Sequence, residues 1–125
     1  NLACSAAGIL ARGALIATRW ASLRRQGFVQ VTGTVPSSAP ENLLIDYQTH
    51  QYRLAKQIST AYALRFAGRW LFELIGELEG STLHSFQNMK SLQEVAITAS
   101  VMKAFASVRA ANGLEDLRRS CGGNG

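Results

Sequence analysis

From Asn42 to Leu78 the chain reads NLLIDYQTHQYRLAKQISTAYALRFAGRWLFELIGEL, 37 residues without a proline. Leu44, Tyr47, Gln51, Leu54, Ile58, Tyr62, Trp70, Leu74 and Leu78 fall on or near one face at helical spacing, so a helix over about 42–79 is expected. At a rise of about 1.5 Å per residue such a helix reaches ~55 Å. A compact domain of this size has a radius of gyration of only ~14 Å and a diameter of roughly 35 Å. The helix therefore outruns any globule that the other residues can build, unless it kinks at Gly68. It requires partners, either more of the same chain or another subunit. The fold class that follows is all-α, built from long antiparallel helices.

The other elements read outward from this one. Both prolines, Pro36 and Pro40, lie in GTVPSSAPEN, which places a loop over about 27–41. Within it, FVQVTGTV alternates weakly and suits a short extended piece or plain loop. Before it, Leu2, Ile9, Gly13, Ile16, Trp20 and Leu23 recur at helical spacing and predict a helix over about 2–26. Alanines and glycines beside that stripe favour close approach of a neighbouring helix. Gly80 ends the long helix, and Ser81 or Ser85 starts the next. That helix, about 85–112, uses Phe86, Met89, Leu92, Val95, Ala99, Met102 and Ala106. Its uncharged VAITASVM stretch predicts burial on more than one side. Asn112-Gly113 is expected to break or bend it, leaving a short helix over about 114–121 that Gly122 terminates. Asn1 already sits inside a periodic pattern and Gly125 inside a turn, so both edges read as cut.

The chain carries 13 Lys plus Arg against 8 Asp plus Glu, a formal charge of +5. The excess suits an anionic partner. The basic residues are dispersed over several helices without a recognised motif, so no nucleic-acid partner is expected. No apolar run approaches the ~18 residues that span a bilayer, so no membrane span is expected. Cys4 and Cys121 form neither a disulfide framework nor a metal-ligand spacing, which favours a reducing intracellular compartment. His50 and His84 lack partners at ligand spacing, and no metal site is expected. No two of the acidic residues are placed as an acid–base pair; solvated helix faces are the expectation for them. Trp20, Tyr47, Tyr52, Tyr62 and Trp70 are expected to pack in the core, and Cys121 to be a buried, inert thiol.

Two features point towards a ligand. RRQGF, Arg24–Phe28, puts two arginines and a glutamine at the end of the first helix. Guanidinium forks match phosphate oxygens there, and they equally complement a helix C-terminus. CGGNG, Cys121–Gly125, offers glycines that permit positive φ and close backbone approach to a phosphate; a helix cap uses them as well.

In order along the chain, RGALIATRWASLRRQGF, LIDYQTHQYRLAKQISTAYALRFAGRWL and LHSFQNMKSLQEVAITASVMKAFASVRAANGLEDLRRSCGGNG resemble the acyl-CoA oxidases of the acyl-CoA dehydrogenase/oxidase superfamily. The resemblance is most specific in DYQTHQYRL, TAYALRFAG and the closing R-x-x-C-G-G-N-G. It implies most of the first C-terminal helical bundle of a longer chain, a homodimer interface, and part of an FAD site shared with the neighbouring subunit. Arg24 matches the arginine of an R-x-Q-F pattern that contacts the FAD phosphates. Gln26 fits that pattern, whereas Phe28 comes one residue late because Gly27 intervenes. Gln48 matches a glutamine against the adenosine, and Gly122 and Gly123 match the turn beside the pyrophosphate. No catalytic residue is implied within the chain, since the family's proton-abstracting glutamate is expected beyond Gly125. The implied reaction oxidises a fatty acyl-CoA to a trans-2-enoyl-CoA while O2 becomes H2O2, in a peroxisomal setting. A dehydrogenase relative and a non-catalytic helical interaction module are the alternatives.

Overall fold

The computed structural model describes residues 2–28, 40–80 and 86–125. Three helices dominate: α1, Leu2–Leu23, α2, Gln48–Gly80, and α3, Phe86–Ser120. Short 3-10 turns at Leu44–Asp46 and Gly122–Asn124 flank α2 and α3. The described residues form no strand, only one isolated antiparallel bridge between Arg25 and Leu43. This is the expected all-α class. Most of the predicted extended piece, from Val29 onward, and the predicted helix start at Ser81 or Ser85 lie outside the described residues.

Register follows from side-chain neighbours. Leu10 lies against Gly113, and Gly13 against Leu114 and Leu117, so α1 and α3 run in the same sense. Gln57 reaches both Gly113 and Asp116, while Arg53 reaches Asp116, so α2 runs opposite to α3. The bridge joins the end of α1 to the approach to α2 and makes that pair antiparallel too.

The core is lined by small side chains. α1 buries Ala6, Ala7, Leu10, Ala14, Ala17 and Ala21, and α3 contributes Ala106, Ala110 and Leu117. Alanine loses no side-chain entropy in a helix and lets helix axes approach closely. The predicted stripe of large residues on α1 is corrected: Ile16 is 66% exposed and Leu23 80%. The α1 side of the seam is taken up by alanines and Leu10, and the bulkier side chains of this helix turn outward.

α2 repeats the pattern. Its buried seam is Leu54, Gln57, Ala61, Leu64, Gly68 and Leu71, with alternating spacings of three and four. Tyr52, Tyr62 and Trp70, expected in the core, are exposed. They lie off this seam on the turns beside it. On α3, Val95 is buried but Ile97, Val101, Phe105 and Val108 are exposed, so the uncharged stretch is covered on one side only. The Arg69–Glu73 pair forms at 3.4 Å on a solvated face, where it adds little stability.

Helix boundaries also differ from expectation. α1 stops at Leu23, because the chain then enters the bridge and turns at Gly27 with φ 73°. α2 begins at Gln48 rather than near Asn42, since Leu43 is extended and Leu44–Asp46 forms its own 3-10 turn. Asn112-Gly113 does not break α3, which runs on to Ser120 and absorbs the predicted short helix. Gly113 is buried at the crossing of all three helices. A Cβ there would lie 2.7 Å from both Leu10 Cδ1 and Gln57 Oε1.

Gly113→Ala is therefore expected to destabilise by about 1–3 kcal/mol, through displacement of Leu10 and Gln57. Gly76→Ala provides the contrast. It sits inside α2 near its C-terminal end, with nothing within 4 Å of a new Cβ, and should stabilise by up to about 0.5–1 kcal/mol. Urea unfolding of both variants checks the opposite signs.

Candidate anion-binding pocket at the helix ends

The pocket forms where the end of α1, the approach to α2 and the end of α3 meet. Arg24 N–H still bonds Trp20 O at 2.8 Å, continuing the last helical turn. Beyond it the backbone is tied sideways: Leu44 N–H donates to Arg24 O, Gln26 N–H to Asn42 O and Asn42 N–H to Gly27 O, each at 2.9 Å. Arg25 Nη1 donates to Glu41 O at 2.8 Å, and Tyr47 Oη donates to Gln26 O at 2.8 Å. The positive φ of Gly27 lets the chain turn under Tyr47, whose Oη would stand 3.0 Å from a Cβ. These bonds fix the backbone from which Arg24 and Gln26 project.

The opposite wall is the end of α3. Cys121 N–H bonds Arg118 O at 3.1 Å, Gly122 takes φ 67°, and Gly125 N–H closes the 3-10 turn onto Gly122 O at 3.1 Å. A Cβ at Gly122 or Gly123 would meet nothing within 4 Å, so the glycine backbone borders open space. The enclosed volume is about 340 Å³, walled by Trp20, Arg24, Gln26, Leu44, Arg53, Arg119 and the stretch 120–124.

Of the six residues singled out in the sequence, Arg24, Gln26, Gly122 and Gly123 thus line one pocket. Phe28 and Gln48 are exposed and stand outside its wall. Cys121 lines the pocket half-buried, rather than fully buried as expected.

Two arginines of the wall were not singled out. Arg119 Nε donates to Glu115 Oε1 at 2.8 Å, and Glu115 also receives Arg118 through Nε at 2.9 Å and Nη2 at 3.0 Å. The hydrogen bonds from Arg118 and then Arg119 hold the Glu115 carboxyl at about 2, against its ordinary 4.5. The i,i+3 and i,i+4 spacings in EDLRR signal this cluster. Arg53 Nε meets Asp116 Oδ1 at 3.1 Å, and the almost fully buried Gln57 donates through Nε2 to Asp116 Oδ2 at 2.9 Å. No local spacing encodes that tertiary contact. It also corrects the reading of Asp116 as merely a solvated carboxylate, whereas Glu115 does lie on an exposed helix face.

Arg24, Arg53, Arg118 and Arg119 against Glu115 and Asp116 leave two positive charges in excess around the pocket. Nearby, His50 is held below its ordinary pKa, first by desolvation and then by the charge of Arg53. Its buried Nε2 finds no partner among the described residues. Among those residues no group of three His, Cys, Asp or Glu could hold a metal ion, and no helix is long and apolar enough to cross a membrane. The arrangement is chemically suited to holding a dianion: forked donors on two walls and an open glycine backbone on the third.

The family model for the acyl-CoA oxidase C-alpha1 domain matches residues 1–125. Peroxisomal acyl-coenzyme A oxidase 1 of Mus musculus is 34% identical over 121 residues, covering 97% of this chain and 17% of that protein. The Arabidopsis thaliana protein of the same name is 33% identical over 125 residues, 100% of this chain and 18% of the relative. Acyl-coenzyme A oxidase acox-1.4 of Caenorhabditis elegans is 29% identical over 125 residues, again 18% of its length. The chain thus spans less than a fifth of the curated relatives it matches. No solved structure matches it.

The Glu115 cluster has a pH signature. Its folded pKa lies below the unfolded value, so its stabilisation is complete above 4.5 and is lost as pH falls through about 2. Glu115→Gln should remove that acid dependence, giving a flatter profile of melting temperature between pH 4.5 and 2 than the unaltered protein.

Proposed function

The chain belongs to the acyl-CoA oxidase family, as its C-alpha1 domain, and on that premise we propose that the whole protein is an FAD-dependent oxidase of fatty acyl-CoA, with this segment holding part of the cofactor. The peroxisomal naming of the mouse and Arabidopsis relatives supports a peroxisomal site of action. The observation that carries the cofactor reading is the pocket itself, about 340 Å³, whose wall combines Arg24, Gln26, Arg53 and Arg119 with a glycine turn and, among the described residues, carries no carboxylate.

The residues present fit the diphosphate part of FAD. Space beside Gly122 and Gly123 is what a side chain would fill and a phosphate needs left open. Arg24 supplies a permanently charged fork on a backbone held by its hydrogen bonds to Trp20 and Leu44. The bridge and the Tyr47 hydrogen bond orient the segment that carries it. Gln26 adds a neutral amide beside that charge. Held there by Arg24, Gln26 and the glycine turn, FAD would supply hydride acceptance from the acyl-CoA and electron transfer to O2, the chemistry of a trans-2-enoyl-CoA product with H2O2. The family resemblance implies that the carboxylate which removes the α-proton lies outside this segment, and Glu115, paired with Arg118 and Arg119, is poorly suited to that role.

The exposed apolar rows support the second role, a homodimer interface. Ile58, Tyr62, Phe66 and Trp70 follow one another at four-residue steps on α2, and Ile97, Val101, Phe105 and Val108 line α3. Rows of this kind mark surfaces that another polypeptide covers. Phe28 and Gln48, exposed and outside the pocket, are available to the part of a shared cofactor held by the neighbouring subunit.

In the whole protein, Arg24→Ala should weaken FAD retention about tenfold or more, the loss of one charge-assisted contact. Gly123→Ala, whose Cβ meets nothing within 4 Å, should weaken it similarly while the fold persists. Lys90→Ala, at an exposed position on α3, should leave it unchanged. Equal flavin occupancy in all three variants would refute the pocket assignment. One equivalent of peroxide per turnover would distinguish an oxidase from a dehydrogenase.

A further inference from the structure

Asp116 is an odd neighbour for an anion. Its carboxylate stands directly behind a guanidinium that lines the pocket, yet is not itself part of the wall. The side chain of Arg53 is 46% exposed and that of Asp116 32%. Pairs this exposed add little to stability, so holding α2 against α3 does not account for the arrangement. What sets it apart is Gln57, only 5% exposed, which spends its amide on Asp116 Oδ2. With one oxygen fixed from behind, the other meets Arg53 Nε at 3.1 Å. A guanidinium has five N–H donors in a rigid fork, so engagement at Nε leaves others for a ligand.

Resting on the flavin reading above, we propose that Arg53 is a further contact to the cofactor's diphosphate, and that Asp116, fixed by Gln57, is the positioning residue that presents it. Buried amide, carboxylate and guanidinium touch in series, and the last of them lines the pocket. The series pre-orients a long side chain that would otherwise lose rotamer freedom on binding. Arg53 also stands on a different helix from Arg24, so the two forks approach the same cavity from different elements.

The test uses the whole protein, stripped of flavin and titrated with FAD, with affinity read from flavin fluorescence and melting temperature taken on the flavin-free form. Arg53→Gln should raise the FAD Kd about tenfold or more. Arg53→Lys, which keeps the charge but loses the fork, should raise it less, and Asp116→Asn by a few-fold. The double variant Arg53→Gln with Asp116→Asn should bind no worse than Arg53→Gln, because both changes act through one guanidinium. A lowered melting temperature with unchanged Kd in Arg53→Gln would overturn the proposal and leave the pair as a helix clasp. If Arg53→Gln does not fold, Arg53→Lys decides, and an unchanged Kd there overturns the proposal equally. Arg24→Ala runs in parallel. Weakened binding in Arg24→Ala beside unaltered Arg53 variants removes Arg53 and keeps the flavin pocket. Unaltered binding in Arg24→Ala and in the Arg53 variants removes both.

Discussion

Gly113 can lie between Leu10 and Gln57 only because it has no side chain, and the placement of the pocket follows from that approach. A glycine inside a helix costs about 1 kcal/mol relative to alanine. Here it admits the fully buried Leu10 and the nearly buried Gln57 to one crossing of α1, α2 and α3. The crossing also sets the register towards the helix ends. Asp116 lies three residues beyond Gly113 and Arg53 four residues before Gln57, so one turn along both helices brings them together. One further turn of α3 reaches Ser120 and the glycine turn that walls the cavity. Close backbone packing and ligand geometry are thus parts of one construction.

The same closeness explains why the amphipathic pattern is inverted. Alanines fill most of the seam on α1, leucines such as Leu10, Leu54, Leu64 and Leu117 complete it, and many of the other large apolar side chains face outward on all three helices. Burying one such side chain contributes roughly 1.5–3 kcal/mol. Ile16, Phe66, Trp70, Ile97 and Val101 are all more than half exposed, so covering even these few stands for an amount comparable with the net stability of an ordinary domain, about 5–15 kcal/mol. The three-helix core therefore accounts for the register of the helices. It leaves much of the chain's apolar surface to be covered from outside.

This inversion also marks where reading the sequence succeeded. Long proline-free periodic stretches identified the helices and their all-α class, because backbone propensity and the absence of breakers are local properties. The buried faces were read only in part: Leu54, Val95 and Ala106 are buried as expected, but periodicity gives most weight to bulky residues and passed over Ala14, Ala17 and Ala21, whose burial depends on tertiary packing. Asn112-Gly113 reads locally as a stop, and only the neighbours Leu10 and Gln57 reveal why it is not one. Arg24, Gln26 and the CGGNG turn were visible through residue type and resemblance. Arg119 was legible from its spacing to Glu115. Arg53 was not, because its partner Asp116 lies on another helix and a carboxylate ordinarily argues against an anion site.

The two adjacent acids resolve that objection. Successive residues of an α-helix point about 100° apart, so Glu115 and Asp116 serve different arginines: one takes Arg118 and Arg119 on its own helix, the other takes Arg53 from α2. Four guanidinium groups at one end of a small bundle would repel one another whenever no anion was bound. A wall of four carboxylates would cancel the attraction altogether. Two carboxylates set behind the arginines ease the repulsion and fix side-chain directions, while two charges remain in excess. The acids would lower the net attraction for an anion, and in return Arg53 and Arg119 would already be aimed if one bound. For a ligand with two adjacent phosphates, fixed direction counts for more than one additional unit of charge, because a misaligned fork loses the charge-assisted hydrogen bond along with its geometry.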